Sequence, residues 1–350
     1  MSKIIKVGLV GFGMSGQLFH APFIDANKNF DLKKVVERHN RNSIKDYPYV
    51  EIEKSFDELL LDKEIQLIVI TTPNIFHFEQ TKKALLAGKH VVIEKPFTPT
   101  SKEALELIDI SLRKGRQIFV FQNRRWDGDF LTIKKIIQKN LLGKILEYEA
   151  HFDRFSPELN KKPWREAEDP AGGNLYDLGT HLIDQAVCLF GLPNSVWADI
   201  RTQRNDSKVD DAFEVVLNYQ ELKVILKAGM FVREEGPRYI INGTKGSFVK
   251  YGLDPQEDDL ENGCSPDRTG WGEDLSEQYG FLNTEIEGLI FKGNIKTIAG
   301  SYQKFYENVF DVLDNQIEIA VKPQEACDVI RIIELAFESN RLGKVLPFNE

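Results

Sequence analysis

The chain has 350 residues, of which 42% are hydrophobic and 28% charged; this excludes disorder and collagen-like architecture and, at roughly 150 residues per domain, suggests about two domains. Acidic residues outnumber basic ones by 54 to 45, a net charge of -9, which argues against a nucleic-acid surface and for small solutes as partners. Three scattered cysteines, Cys188, Cys264 and Cys327, fit neither a disulfide framework nor a zinc spacing, so no metal and a reducing cytoplasm are expected, and no apolar run reaches the about 18 residues that a membrane span requires.

In chain order, apolar runs at 4–10, 32–36, 65–71, 90–94 and 117–121 alternate with stretches of helical periodicity. That rhythm predicts a parallel sheet covered on both faces. The first run has the hydrophobicity of a short signal segment, but a glycine turn follows it and no cleavage site does, so it reads as a strand. Ser55 and Ser101 are expected to start helices and Gly88 and Gly115 to end them. Pro22 should shorten or kink the first helix. After Gln122 come a helix over 129–139, a strand over 145–153, a helix over 173–190, and strands over 196–202, 213–219, 223–232 and 239–251, with the turn-prone pair Asn242-Gly243 inside the last. Residues 252–283, rich in Asp, Glu and Gly, read as an irregular excursion, and helices resume over 302–314 and 323–341. The fold class is therefore α/β: a doubly wound Rossmann domain over 1–122, then an α+β domain over 123–350 on a large, mainly antiparallel, open sheet.

Gly11-Phe12-Gly13-Met14-Ser15-Gly16 directly follows the first strand and opens a helix. In that context glycines let the backbone approach a pyrophosphate, and free N–H groups at the helix start face it. The second strand ends in Val36-Glu37-Arg38-His39-Asn40-Arg41, where a Rossmann domain reads the ribose 2′ position. Glu37 accepting from ribose hydroxyls indicates NAD, Arg38 with Arg41 pairing a 2′-phosphate indicates NADP, and all three also suit a solvated loop. Thr72-Pro73-Asn74, after the next long strand, lies at the ligand edge of the sheet, and His77 either joins that contact or simply opens a helix. Glu94-Lys95-Pro96 places an ammonium at the same edge as a donor to a substrate oxygen; Pro96 fixes the backbone there, through a cis or a trans peptide.

At 100° per residue, Asp177, His181 and Asp184 share one stripe of a helix whose other face carries Leu178, Leu182, Ile183, Ala186, Val187, Leu189 and Phe190. Asp177 and His181 at i, i+4 form a carboxylate–imidazole pair in which His181 is the candidate general base; the alternative is an exposed polar face with an incidental histidine. Asn123, Arg124, Arg125 and Trp126, together with Trp164, Arg165 and Tyr176, are candidate substrate contacts, although Arg124 and Arg125 equally suit a salt bridge between domains and Trp126 a packing anchor. Tyr239 reads as core, and Cys188 as a small buried residue.

The Gly11–Gly16 turn, Glu94-Lys95-Pro96 and the segment from Asp177 to Asp184 together resemble the Gfo/Idh/MocA family of nicotinamide-dependent oxidoreductases, over essentially the whole chain. The segments 122–131 and 250–258 are similar to the branch that contains NADP-dependent scyllo-inositol dehydrogenases. The resemblance implies hydride transfer between a nicotinamide cofactor and a secondary alcohol or ketone of a cyclic polyol or sugar. It identifies Lys95 with the family's catalytic lysine and Asp177 and His181 with its acid–histidine pair. It favours NADP over NAD and implies homodimers or homotetramers packed through the C-terminal sheet. Glu37 departs from the small residue that many NADP-type members carry before the arginine. The competing expectations are another sugar substrate, a catalytically silent NADP-binding sugar sensor, and a glycoside-cleaving enzyme that works by transient oxidation.

Overall fold

The structure, a computed structural model, describes residues 4–159 and 171–349. Strands β1 (Ile5–Val10), β2 (Phe30–Val36), β3 (Glu51–Glu53), β4 (Leu67–Ile70), β5 (His90–Ile93) and β6 (Ile118–Val120) form a parallel sheet in the order β3-β2-β1-β4-β5-β6. The order reverses between β1 and β4, so the carboxyl ends of these strands border the crevice where doubly wound sheets hold ligands. All four side chains of β4 are buried, as coverage on both faces demands. Strand β3 adds to the sequence reading. Its Glu51-Ile52-Glu53 carries no apolar run because it is an edge strand, and Lys34 of β2 pairs with Glu53 at 2.7 Å and Glu51 at 3.5 Å.

The first helix is broken as Pro22 predicts: a π-turn over Gly16–His20 leads into α1 (Ala21–Asp25), with Pro22 in its first turn, where no N–H is needed. The short α2 (Ser43–Asp46) follows β2. Ser55 caps α3 (Phe56–Leu61) by accepting from the Glu58 N–H at 3.2 Å, and α4 (His77–Leu86) stops just before Gly88. The cap of α5 (Ser101–Lys114) is Thr100, not Ser101. Thr100 accepts from the Glu103 N–H and the Glu103 carboxylate accepts from the Thr100 N–H, a capping box that Ser101, one residue late, cannot form.

This unit runs to Asn123 and takes in two later segments, 256–271 and 301–327, which include α8 (Gln256–Glu261) and α9 (Gln303–Asn315). The later segments build an aromatic cluster with the early ones: Phe23 meets Trp271 and Tyr302, Phe30 meets Tyr306 and Phe310, and Phe121 meets Phe305, with centroids 4.8–6.3 Å apart and rings steeply inclined.

The second unit comprises 124–255, 272–300 and the residues from Asp328 onward. It contains α6 (Gly128–Gln138), β7 (Ile145–Asp153), a π-turn over Leu175–Gly179, and α7 (Thr180–Phe190). Strands β8 (Ser195–Arg201), β9 (Ala212–Asn218), β10 (Lys223–Gly229), β11 (Tyr239–Gly243), β12 (Gly246–Lys250), β13 (Gly280–Ile286), β14 (Leu289–Ile295) and β15 (Leu346–Pro347) join β7 in a nine-stranded sheet, in the order β14-β13-β12-β11-β7-β10-β9-β8-β15. Every neighbouring pair is antiparallel except β7 with β10. The segment read as one strand over 239–251 is a hairpin of β11 and β12. The excursion over 252–283 contains α8 and the start of β13; acidic composition hid both.

One face of this sheet carries the core. Tyr148, Ala150 and Phe152 of β7 pack in one cluster with Leu182, Ile183 and Ala186 of α7 and with Val329, Ile333 and Ala336 of α10 (Pro323–Leu342). Across the other face, register aligns Trp197, Val216, Ile225, Glu149, Ile240, Val249 and Phe281 in one row, apolar except for Glu149. Among the described residues no helix is long and apolar enough to cross a membrane.

Candidate active site

In the first unit the glycine turn is built for close approach. Gly11 has φ +96°, a conformation L side chains rarely adopt, and a Cβ on Gly16 would lie 2.6 Å from the Gly11 carbonyl oxygen. Beside Gly13 a Cβ would meet nothing within 4 Å, so the backbone of the turn is bare on that side. A bare glycine backbone at the switch point of the sheet fits a dinucleotide pyrophosphate. Thr71 at the end of β4 ties the turn in place, its hydroxyl donating to the carbonyls of Val10 and Gly11 at 3.1 Å each. Phe12 is buried edge-on against Tyr47, whereas Met14 is exposed.

Ser15 and Glu94 join this turn to β5. The Ser15 hydroxyl donates to the Glu94 carboxylate, His20 contributes Nε2 at 3.0 Å, and the Lys95 N–H donates at 3.1 Å. His20 Nδ1 in turn lies 2.7 Å from the Tyr306 hydroxyl. Burial pushes Glu94 up, but the His20 hydrogen bond and charge, Ser15 and the Lys95 charge together hold it below the usual carboxylate value. Lys95 is half-buried, and its peptide bond to Pro96 is cis. His77 is 1% exposed and faces two carbonyls, Pro96 O at 2.8 Å from Nδ1 and Thr72 O at 2.9 Å from Nε2. Burial holds its pKa below the ordinary value against the pull of those carbonyls. It thus ties the Thr72-Pro73-Asn74 loop to the segment after Lys95. Thr72 donates to Gln80 at 2.6 Å, Pro73 is exposed and Asn74 half-buried.

Glu37 is buried, and its carboxylate is bonded to its own loop. It accepts from the Asn42 N–H, the Ser43 N–H and the Ser43 hydroxyl, while Arg38, His39, Asn40 and Arg41 are exposed.

In the second unit Asp177 lies inside the Leu175–Gly179 π-turn, whose wider i→i+5 spacing breaks the even 100° projection between Asp177 and His181. His181 and Asp184 are buried and Asp177 is half-buried, so this is no exposed polar face. Cys188 is half-buried rather than fully buried. Arg125 grips Asp184 with two bonds of 2.7 Å, both groups buried, and both belong to this one unit, so the pair is not a bridge between domains. Arg124 lies over the Phe152 ring at 5.1 Å and 3.4 Å from Asp127. Its carbonyl accepts from Gln185, which in turn accepts from the Tyr239 hydroxyl at 2.8 Å. Asn123 is buried, Trp126 half-buried, and Tyr176 is stacked on Phe337 in the core. Trp164 and Arg165 lie outside the described residues.

Four positions escaped the sequence reading. His20 and Tyr306 brace Glu94 from 74 and 212 residues away, distances at which no local signal exists. Asp210 and Asp211 sit between β8 and β9. The Asp210 carboxylate accepts from the Leu175 N–H at 2.8 Å, at the first residue of the π-turn that carries Asp177. Burial pushes it up to about 6, and the negative Asp211 adds to that against the backbone donors. Asp211 accepts from the N–H groups of Gln203 and Arg204 and from the Arg204 side chain. The signal for this pair was two adjacent acids directly before an apolar strand. Among the described residues no group of three or more His, Cys, Asp or Glu could hold a metal ion.

Comparison with known proteins adds the lineage. The model for an oxidoreductase family's NAD-binding Rossmann fold matches residues 5–122, and that for the same family's C-terminal alpha/beta domain matches residues 134–348. The chain belongs to the Gfo/Idh/MocA oxidoreductases. Within the family it is 41% identical, over 96% of its own length and 94% of the relative's, to scyllo-inositol 2-dehydrogenase (NADP(+)) of Bacillus subtilis. It is 32% identical over 65% of its length, and 66% of the relative's, to glucose-6-phosphate 3-dehydrogenase of the same organism. A solved structure from Bacteroides fragilis has TM-score 0.92 at 45% identity, covering 99% of this chain and all of that one. One from Bacillus subtilis has TM-score 0.96 at 39% identity, covering 100% and 99%. This Gfo/Idh/MocA member is thus an enzyme, a dehydrogenase built on an NAD-binding Rossmann fold.

Proposed function

We propose that the enzyme oxidises a secondary alcohol of a cyclic polyol, an inositol, with NADP, and reduces the corresponding ketone in reverse. The observation that carries the reading is 41% identity to scyllo-inositol 2-dehydrogenase (NADP(+)) sustained over 96% of the chain, in a sequence that has Lys95, Asp177 and His181. Residues 1–122 would hold the cofactor, with the Gly11–Gly16 backbone at the pyrophosphate, Thr72 to Asn74 and Glu94-Lys95 toward the nicotinamide half, and Arg38 with Arg41 at the 2′-phosphate. The nicotinamide, when bound, supplies the hydride acceptor. His181 takes the hydroxyl proton as general base, since imidazole with a pKa of about 6.5 exchanges protons near neutrality. Asp177 orients the ring and favours its charged form. Lys95 stabilises negative charge on the substrate oxygen. For substrate hydroxyls, residues 123–350 offer Arg124 and Trp126 next to Asn123, and Trp164 and Arg165; Arg125, locked to Asp184, and Tyr176, stacked in the core, support the others. The apolar row on the face of the nine-stranded sheet opposite the core supports a homodimer or homotetramer packed through that face, in a cytoplasmic setting.

The test follows nicotinamide absorbance with scyllo- or myo-inositol and NADP or NAD. We expect NADP reduction, with Lys95→Ala and His181→Ala each lowering kcat at least about 100-fold, the scale of lost acid–base or electrostatic catalysis, while the Kd for cofactor changes less than threefold. No turnover on inositols, but turnover on another sugar, would overturn the substrate; equal loss of binding and turnover would overturn the residue roles.

A further inference from the structure

Glu37 occupies the place where an acid normally reads the ribose hydroxyls of NAD. Its carboxylate is committed elsewhere. Oε1 accepts from the Asn42 N–H at 3.0 Å; Oε2 accepts from the Ser43 N–H at 3.0 Å and the Ser43 hydroxyl at 2.6 Å. An ionised carboxylate offers about four acceptor sites, so three donors from one short stretch nearly fill it. The residue is 9% exposed, and its own N–H is fastened to the Glu53 carbonyl on β3 at 3.1 Å. Between the two ends of this clasp lie Arg38, His39, Asn40 and Arg41, all exposed, with two guanidinium groups and no acid.

We propose that Glu37 is a specificity-determining positioning residue. Its carboxylate closes the 38–43 loop and so presents Arg38 and Arg41 as a fixed cationic edge for a 2′-phosphate; it does not receive ribose hydroxyls. The acid thereby promotes the phosphorylated dinucleotide, the reverse of what an acid at this position ordinarily does. The physical reason is direction. Hydrogen-bonded inward to backbone, the carboxylate spends its acceptor capacity on ordering the loop, and two arginines held in place lose less conformational freedom on gripping a phosphate than two on a free loop. The inference rests on the reading of the chain as a nicotinamide-dinucleotide enzyme.

The two roles of Glu37 predict opposite signs. For Glu37→Ala, equilibrium fluorescence titration should show the NADPH Kd rising at least tenfold and the NADH Kd less than threefold. If Glu37 reads ribose instead, NADH weakens at least tenfold while NADPH is unchanged or tighter, and the proposal falls. Amide exchange in the cofactor-free protein gives a second readout: the Asn42 and Ser43 N–H groups should exchange at least tenfold faster in Glu37→Ala, and unchanged exchange would also overturn the clasp. Ser43→Ala, which removes one donor and keeps the acid, should shift the NADPH Kd in the same direction by about threefold; it decides the matter if Glu37→Ala fails to fold. A wild-type protein that binds neither dinucleotide would sink the functional reading and the specificity role with it, whereas faster exchange in Glu37→Ala would still establish the clasp.

Discussion

Glu94 in the first unit and Asp210 in the second are both largely buried carboxylates, each bonded to a π-turn that opens a helix, and their acidities move in opposite directions. Burial pushes both upward. At Glu94 the hydrogen bond and charge of His20, with Ser15 and Lys95, outweigh it, and the acid stays below its usual value. At Asp210 the donors are backbone N–H groups and the nearest charge is another carboxylate, so the acid rises to about 6. Depth of burial does not set the sign; the neighbour does.

The comparison can be broken or sharpened by removing neighbours. The largest effect is expected at Arg125, the cationic partner of Asp184. Arg125→Met removes the cationic partner of a buried carboxylate and should cost about 3–5 kcal/mol in urea unfolding, with much of it recovered by the apolar pair Arg125→Met with Asp184→Leu. No recovery would mean that the arginine acts through packing rather than charge.

Asp210 comes next. Its folded-state pKa lies above the ordinary aspartate value of 3.8, so the stability it contributes is fully present below about pH 4 and is lost as pH rises through about 6. Asp210→Asn removes that loss. The difference in unfolding free energy between variant and wild type should therefore grow in the variant's favour by up to about 3 kcal/mol from pH 4 to pH 7. A flat difference would show that Asp210 titrates in the fold as it does in the unfolded chain.

The smallest effect is expected at His20, and it has the opposite sign. Glu94 is lowered in the fold, so its contribution is present above about pH 4.5 and lost as pH falls through its folded value. His20→Ala should cost about 2 kcal/mol at pH 7, the scale of a hydrogen bond to a charged group, and progressively less in acid. A cost independent of pH would place His20's role in its packing on the Phe121 ring, whose centroid lies 4.3 Å from its own.

What could be read from the sequence follows the range of the interaction. Gly11 and Gly16 were legible because a backbone conformation and a 2.6 Å approach admit only glycine, and the alternation over the first 122 residues because the parallel sheet leaves near-continuous apolar runs. The direction of Glu37 was not legible, since it is decided by two backbone N–H groups whose orientation depends on how the chain turns at Asn42. Thr100 and Ser101 are both good caps, and only geometry chooses between them. Neither π-turn shows in a projection that assumes 100° per residue. The β13–β14 hairpin was hidden because its tip, Ile286-Glu287-Gly288-Leu289, leaves apolar side chains exposed where a buried strand would alternate. The Tyr306–His20–Glu94 chain joins three segments that no local pattern connects.

The first unit's use of residues 256–271 and 301–327 has a consequence for how the protein is made. A ribosome adding about 5–20 residues per second finishes the parallel sheet long before it supplies Trp271, Tyr302, Phe305, Tyr306 and Phe310. For about 10–40 s the nascent chain must carry Phe23, Phe30 and Phe121 without the aromatic partners they meet in the finished fold. The nucleotide-binding half is synthesised first and completed late, which makes that interval the one in which a holdase chaperone has most to protect.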